Sequence, residues 1–531
     1  MLPIEQLVAV TLGALVGAQV LLSLRGRKKS EYAYPQPAST LLILGNTLDA
    51  MIYNRDRIYD WITDHCLAFE RPWLLPAIGS VLCVTVSTPE LFEDVMKTQF
   101  ENFPKGDDET DYYRDLFGKG ILAADGDIWY FHRKTTSNLF SNQMMKDVMY
   151  EAVRDNLKTL YEALCTYESR GEPVSFKNVM TQFTSDVFGK LGFGVNLRCL
   201  QNGVDGKDGN EFIGAFAIAT KILDKQFMQP KWLWQLKRAL QVGSEKELRE
   251  NVEVIDQFIF RIIESIAKKN ALDKSAGGGE DTSKDSKGLI SLFLSRNVKA
   301  EEIAKGQAFG LEMHVIRDMV ASFIFAGKDT TSHSMSWLIV MLNKYPEVLE
   351  KIRTELRQQL PGLASGEMAV PIIDELPQLV YLEAAIRENL RLNPVLPFSA
   401  RQANKDTVLC DGTPIFKGTR VGIGIYVSAR KTSVWGKDAL EFKPERWIDP
   451  VTGKLAVLSS FKYAYFFGGP RQCIGMKFVM MELKCTLAVL LSKFDLKIVE
   501  SPWKVRYEAA LTMVVKGPLL VDVSSVATES A

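Results

Sequence analysis

One ten-residue stretch near the C-terminus leaves the chain few options: Phe466-Phe467-Gly468-Gly469-Pro470-Arg471-Gln472-Cys473-Ile474-Gly475, followed by an apolar pattern of helical period from Met476 to Leu491. Three glycines and a proline around one cysteine describe a tight loop whose backbone N–H groups can face the sulfur. Such hydrogen bonds stabilise a thiolate and tune a metal bound to it. Gly475 has no Cβ, so a flat ligand can approach the chain closely. Phe466 can shield the sulfur from water, and Arg471 offers a fork suited to a carboxylate. The plain alternative is a turn leading into a helix around a buried, inert thiol, the usual state of a lone cysteine. Cysteine usage bears on the choice: the seven are widely spaced and form no CxxC, which argues against a disulfide framework or a zinc site and for a reducing compartment. With only four histidines a His-rich metal site is not expected, and if a metal is used a single cysteine must be considered as its ligand.

A chain of 531 residues suggests three or four domains at about 150 residues each. Nothing between residues 40 and 520 reads as a linker, apart from the low-complexity loop Lys274 to Lys287. Helical periodicity dominates, as in Met144 to Tyr167 and Glu245 to Lys269. Short β-like runs stand at Val81 to Val86, Thr407 to Leu409, Arg420 to Tyr426 and Leu511 to Val515. The expected body is one large domain over 41–520, mainly α with a minor β part, ending in a polar tail over 521–531. Lys plus Arg and Asp plus Glu are 64 each, so no net charge steers the protein to nucleic acid.

Leu7 to Leu24 carries no charge and is followed by Arg25, Arg27, Lys28 and Lys29. As a helix it reaches about 27 Å, close to the hydrocarbon thickness of a bilayer. No basic residues precede it, so an uncleaved single-span anchor over 1–29 is expected, with the body in the cytoplasm. Pro35 and Pro37 make 30–40 a stiff extended connector.

Three further constellations carry chemistry. Glu388 and Arg391 are i and i+3 on one helix, a spacing at which carboxylate and guanidinium meet, usually as a solvated surface pair. Phe325-Ala326-Gly327-Lys328-Asp329-Thr330-Thr331 lies inside an apolar helical pattern from about Val315 to Leu342. Glycine and threonine lower helix propensity there, which suggests a local widening that turns the Thr330 hydroxyl towards a ligand; the bland reading is a kink with Thr bonded to its own i−4 carbonyl. Trp129 and Arg133 share a helical face and can both donate to a carboxylate. His132 and Arg401 are further donor candidates, His132 by adjacency alone.

These motifs together resemble the cytochrome P-450 superfamily. The cysteine loop matches its haem-binding signature at Phe466, Gly469, Arg471, Cys473 and Gly475. The resemblance covers about 40–520 and implies that fold, with Cys473 as the axial thiolate ligand of haem iron. It implies that Trp129, Arg133, Arg401 and Arg471 hold the haem, that Asp329 and Thr330 relay protons to oxygen, and that Glu388 and Arg391 join Arg446, of the later Pro444-Glu445-Arg446-Trp447, in a buried ion network. Family topology suggests Phe103, Ile121, Phe325, Ala326, Leu396, Phe398 and Met513 as pocket lining. Asn102-Phe103-Pro104-Lys105-Gly106 and Gly469-Pro470-Arg471 are similar to the fatty-acid hydroxylase branch of plants and relatives. Animal hydroxylases of another branch often carry a haem-esterified Glu where this chain has Ala326, so no such link is expected.

The resemblance implies a haem–thiolate monooxygenase of the endoplasmic reticulum membrane that hydroxylates a lipophilic substrate, a fatty acid first, at or near its omega end. Gly422-Ile423-Gly424 continues as a strand without the third glycine of a dinucleotide loop. Electrons are therefore expected from an NADPH–cytochrome P-450 reductase, with cytochrome b5 as an optional second donor, and O2 as cosubstrate. The rivals are a sterol or terpenoid hydroxylase, a haem–thiolate isomerase or dehydratase, and a membrane-tethered haem protein without turnover.

Overall fold

Helices carry the architecture because long stretches of the chain repeat apolar residues at three and four. The computed structural model describes residues 33–526 except 42–43, 77–81, 138, 205–210, 228, 276–288 and 291–306. The proposed anchor over 1–29 and most of the low-complexity loop lie outside the described residues, among which no helix is long and apolar enough to cross a membrane. The main helices are α1 Ile58–Phe69, α2 Asp107–Phe117, α3 Gly126–Ser137, α4 Tyr150–Arg170, α5 Phe176–Phe193 and α6 Glu211–Phe227. They continue with α7 Lys231–Leu240, α8 Ser244–Ser275, α9 Gln307–Lys344, α10 Pro346–Gln359, α11 Val380–Leu392 and α12 Met476–Lys493.

Two helices form the spine. Almost every side chain of α12 from Phe478 to Leu491 is buried, as expected of a helix that is apolar all round. It packs against α4, α9, α10 and α11. Across the molecule α9 crosses α5 so closely that a Cβ on Gly327 would stand 1.9 Å from the Phe188 ring. That contact is why a glycine interrupts an otherwise good helix. The widening expected around Thr330 is absent: α9 is continuous α-helix from Gln307 to Lys344.

Strands β1 Trp73–Leu75, β2 Cys83–Val86, β3 Val174–Ser175, β4 Phe398–Gln402, β5 Arg420–Gly424, β6 Phe494–Ile498 and β7 Leu520–Ser525 form two small sheets. The first has the order β1-β2-β5-β4, with β2 parallel to β5 and the other pairs antiparallel. Its register sets Ala400 opposite Gly422, where a Cβ would meet the Phe398 ring at 2.2 Å. The Gly-Ile-Gly run is thus a strand whose glycine admits Phe398. The chain leaves that strand earlier than expected, since Ile425–Ser428 is a helical turn. Of the run Leu511 to Val515, only Val514–Val515 pairs as strand.

The second sheet corrects the C-terminal boundary. Its order is β3-β7-β6, so Leu520–Ser525 is the central strand and the polar tail starts later than 521. The proposed connector also touches the body: the Pro35 carbonyl accepts from Leu74 N–H at 2.9 Å, the Tyr34 hydroxyl donates to the Pro414 carbonyl, and Pro37 is buried. Apolar side chains under the first sheet, among them Val84, Phe92, Phe103, Val421 and Ile423, form a core distinct from the larger one among the helices.

Candidate active site

The cysteine loop joins these two cores. Cys473 N–H donates to the Phe466 carbonyl at 2.8 Å, closing the turn. Gly469 adopts φ 66°, and a Cβ there would lie 2.2 Å from the Met96 carbonyl oxygen, so a larger residue would displace the backbone. Phe467 holds φ 59° and ψ −178°, a region that only glycine occupies freely, at a cost of roughly 1–3 kcal/mol. Strain of this size persists where surroundings over-determine a loop. Inside the loop, burial raises the Cys473 thiol above its ordinary range, and the Gly475 N–H, Arg133 and the Met476 N–H pull it back down.

Cys473 faces a cavity of about 490 Å³. From α9 come Phe325, Ala326 and Thr330; from the loop come Phe466, Arg471 and Gly475. Trp129 and Arg133 of α3 and Arg401 of β4 reach the same cavity. So do Ile121, Leu396 and Phe398. Phe103 and Met513 do not line it. Phe103 is fully buried in the core under the first sheet, and Met513 is buried in the helical core with its backbone bonded to Val395 and to the Trp337 indole. His132 is turned into the protein as well, 2 % exposed, with Nδ1 unpartnered and its pKa pushed down to about 4 by burial.

Cations outnumber carboxylates on the cavity wall, where Glu109 pairs with Arg420 at 2.7 Å. The Arg471 guanidinium lies 4.4 Å from the Trp129 ring centroid, donates to the Ala124 carbonyl at 3.1 Å and pairs with Asp125. Asp125 also accepts the Lys105 and Gly106 N–H groups at 3.1 Å each. Among the described residues Arg401 donates to the Ser399 hydroxyl and the Ala400 carbonyl, at 3.1 and 2.6 Å. Neither Arg401 nor Arg133 has an ion pair among the described residues. Burial lowers all three guanidiniums, Arg471 to about 10, and lowers nearby Lys105 to about 7 with help from Arg401 and Arg471. Buried cations in excess of carboxylates call for an anion.

On α9, the Thr330 hydroxyl donates to the Ala326 carbonyl at 2.7 Å, the i−4 bond of the bland reading, while its lone pairs stay open to the cavity. Asp329 is buried and pairs with the equally buried Lys328. The Ser334 hydroxyl bonds the Tyr465 hydroxyl at 2.8 Å, tying α9 to the cysteine loop. Asp125, Lys328 and Tyr465 were missed in the sequence. Asp125 alone left a signal, an Asp placed directly before a helix.

Behind the loop, Glu388 is fully buried. It accepts from Arg391 Nε and Nη2 at 2.8 Å each, from Arg446 Nε at 2.8 Å, from the Trp447 indole at 2.9 Å and from Lys443 N–H at 2.9 Å. Arg391 and Arg446 also donate to the carbonyls of Ala429, Ala439, Glu441 and Asp438, and Arg446 Nη1 meets the Asp438 carboxylate at 3.3 Å.

The chain is similar to known proteins over most of its length. The family profile described as Cytochrome P450 matches residues 35–523. The chain belongs to the cytochrome P450 family. It is similar to Cytochrome P450 86B1 of Arabidopsis thaliana, 34 % identical over 88 % of this chain and 82 % of that one. Cytochrome P450 94B1 of the same plant is 34 % identical over 88 % of this chain and 87 % of its own. Cytochrome P450 monooxygenase cyp1 of Mycosarcoma maydis is 29 % identical over 87 % and 69 %. This P450 is thus a monooxygenase, and its family implies a thiolate-ligated haem. The residues present fit that group. A Cβ built on Gly475 would meet the Phe140 ring at 3.5 Å and the Cys473 sulfur at 4.0 Å, ordinary contact distances, so protein packing does not demand glycine there, and its absence of a side chain leaves room for a flat group beside the sulfur. The unpaired guanidiniums of Arg133 and Arg401 suit the carboxylates of haem.

Proposed function

We propose that this P450 hydroxylates a fatty acid, at or near the omega end, using O2 and electrons passed from NADPH by a separate reductase, with cytochrome b5 as an optional second donor. The observation that carries the reading is one cavity shared by the Cys473 loop, Ala326 and Thr330 of α9, and the apolar side chains Ile121, Phe325, Leu396 and Phe398; Asp329 does not line it. Haem, when bound, supplies the iron and oxygen chemistry that side chains lack. The chain's own residues do the rest. Cys473 would be the thiolate ligand, and Trp129, Arg133, Arg401 and Arg471 would hold the carboxylates of the group. Thr330 offers lone pairs to a water in the cavity, and Asp329, the preceding residue, which pairs with Lys328, is the carboxylate through which a proton would be relayed towards that water. The apolar walls exclude other water and favour a hydrocarbon chain.

The fatty acid is favoured because the Asn102 to Gly106 and Gly469 to Arg471 motifs are similar to that branch and two of the relatives are plant P450s. The apolar run Leu7 to Leu24 with its basic flank supports a single-span anchor in the endoplasmic reticulum membrane with the body in the cytosol. A ferrous–CO difference spectrum followed by spin-shift titrations tests the substrate. Fatty acids are expected to shift the ferric protein from low to high spin and to be hydroxylated with reductase and NADPH. A shift with sterols or terpenoids and none with fatty acids would overturn the assignment.

A further inference from the structure

A lysine is enclosed between α1 and the first sheet with no carboxylate to meet it. Lys431 is 8 % exposed and forms no ion pair among the described residues. Its ammonium group has three donors, and the one acceptor it finds there is the Ser87 hydroxyl, at 3.3 Å. Hydroxyls stand where a counter-charge would be expected. Ser87 follows β2, and Thr85, two residues earlier, is on the same face of that strand. Thr85 is buried with its hydroxyl unpartnered. So is Ser428, three residues before Lys431 at the end of the helical turn that follows β5.

The neighbouring groups do not supply the missing charge. On α1, Cys66 accepts from the Trp73 indole at 3.0 Å, and burial pushes its thiol up to about 11; the indole, Lys431 and Ser87 pull it back only in part. Asp60 of α1 already accepts from the Tyr426 and Tyr507 hydroxyls at 2.7 and 3.0 Å. Asp64 pairs with Arg57 at the surface, and His65 bonds the Trp61 carbonyl at 2.9 Å. Arg430 adds a second cation, lying 3.3 Å from the Tyr426 ring centroid and donating to the Leu392 and Tyr426 carbonyls. An uncompensated ammonium out of reach of solvent is costly. A buried water would meet the free hydroxyls and leave the charge as it was.

We propose that Lys431, Ser87, Thr85 and Ser428 hold a small inorganic anion of the size and charge of chloride. The ammonium supplies the charge and the three hydroxyls supply further donors. All four residues are buried, which admits a monatomic ion and shuts out a molecule that carries a carboxylate. The ion joins α1, the end of β2 and the turn after β5. Ile58, Tyr59 and Ile62 of α1 line the cavity on one side of this junction, and Phe398 and Arg401 of the first sheet line it on the other. The anion therefore fixes two walls of the cavity to each other without entering it.

Lys431→Met keeps the length of the side chain and removes its charge. Unfolding temperatures of the haem-loaded full chain are compared at constant ionic strength while sodium gluconate is replaced stepwise by sodium chloride. The wild type should gain stability with each step once chloride exceeds its dissociation constant, and the variant should not respond. In gluconate alone the variant should be the more stable of the two, because an unmet charge has gone. Chloride-35 NMR gives a second readout: the wild type should broaden the chloride resonance, bromide should reverse the broadening by competition, and Lys431→Met should lack it. Thr85→Val and Ser428→Ala, which read out the same site if the methionine variant fails to fold, should each weaken chloride binding roughly tenfold, the worth of one hydrogen bond to a charged group. Equal responses of wild type and Lys431→Met to chloride would overturn the proposal. So would a wild type indifferent to chloride, which is the result expected of a buried water, or a chloride affinity unmoved by both hydroxyl variants.

Discussion

Two groups of buried and half-buried arginines, on either side of the cysteine loop, behave in opposite ways. Arg391 and Arg446 sit around Glu388 with their donors met by carboxylate and carbonyl oxygens. Arg133 and Arg401 are held in the cavity wall with no ion pair among the described residues, and burial lowers both. The first group is complete without a ligand; the second is complete only with one. The same side chain is structural where the fold satisfies it and functional where the fold leaves it wanting.

Cys473→Ala should have the largest effect, abolishing the thiolate-type ferrous–CO spectrum altogether, because no other cysteine sits in a glycine-rich turn on the cavity. A mutant that keeps the spectrum would move the ligand elsewhere. Next comes the satisfied side of the comparison. Glu388→Ala leaves two guanidiniums and an indole without their acceptor and should cost about 3–5 kcal/mol in urea unfolding. A loss under about 1 kcal/mol would put the network among solvated surface pairs.

The unsatisfied side should respond in reverse. Arg133→Gln should weaken haem binding roughly ten- to a hundredfold, the worth of about 1.5–3 kcal/mol in charged hydrogen bonds, while leaving the haem-free protein as stable as before or more so. Equal destabilisation of the haem-free protein would place Arg133 with Arg391 and erase the contrast. Thr330→Ala should change stability least, by well under about 1 kcal/mol, since it removes only an i−4 side-chain bond. Its effect should appear as more NADPH consumed per product and as released peroxide, with the ferrous–CO spectrum intact; unchanged coupling would reduce Thr330 to a helix residue bonded to itself.

Sequence order told the two groups apart only in part. Glu388 and Arg391 are neighbours on a helix, so their meeting was readable, but that spacing describes a solvated pair as well as a buried one. Burial came from the packing of α11 against the Pro444–Trp447 turn. The cysteine loop was readable in full, because its glycines and proline act locally: a positive φ at Gly469 is a property of one residue and its neighbours. The reason for Gly327 was not, since Phe188 meets it from another helix.

The sequence by itself determined the helices, the turn around Cys473 and the residue types gathered near it, since each of these depends on interactions a few residues long. Only the tertiary structure decided which charges are met and which are left open. It put Phe103 and Met513 in the core and brought Asp125 to Arg471 and Lys105. It also made residues 520–525 the centre of a sheet rather than the start of a tail. Those outcomes depend on contacts between segments far apart in the chain. A single sequence records no such contacts, because the period of a pattern shows which face of an element is buried but not what lies against it.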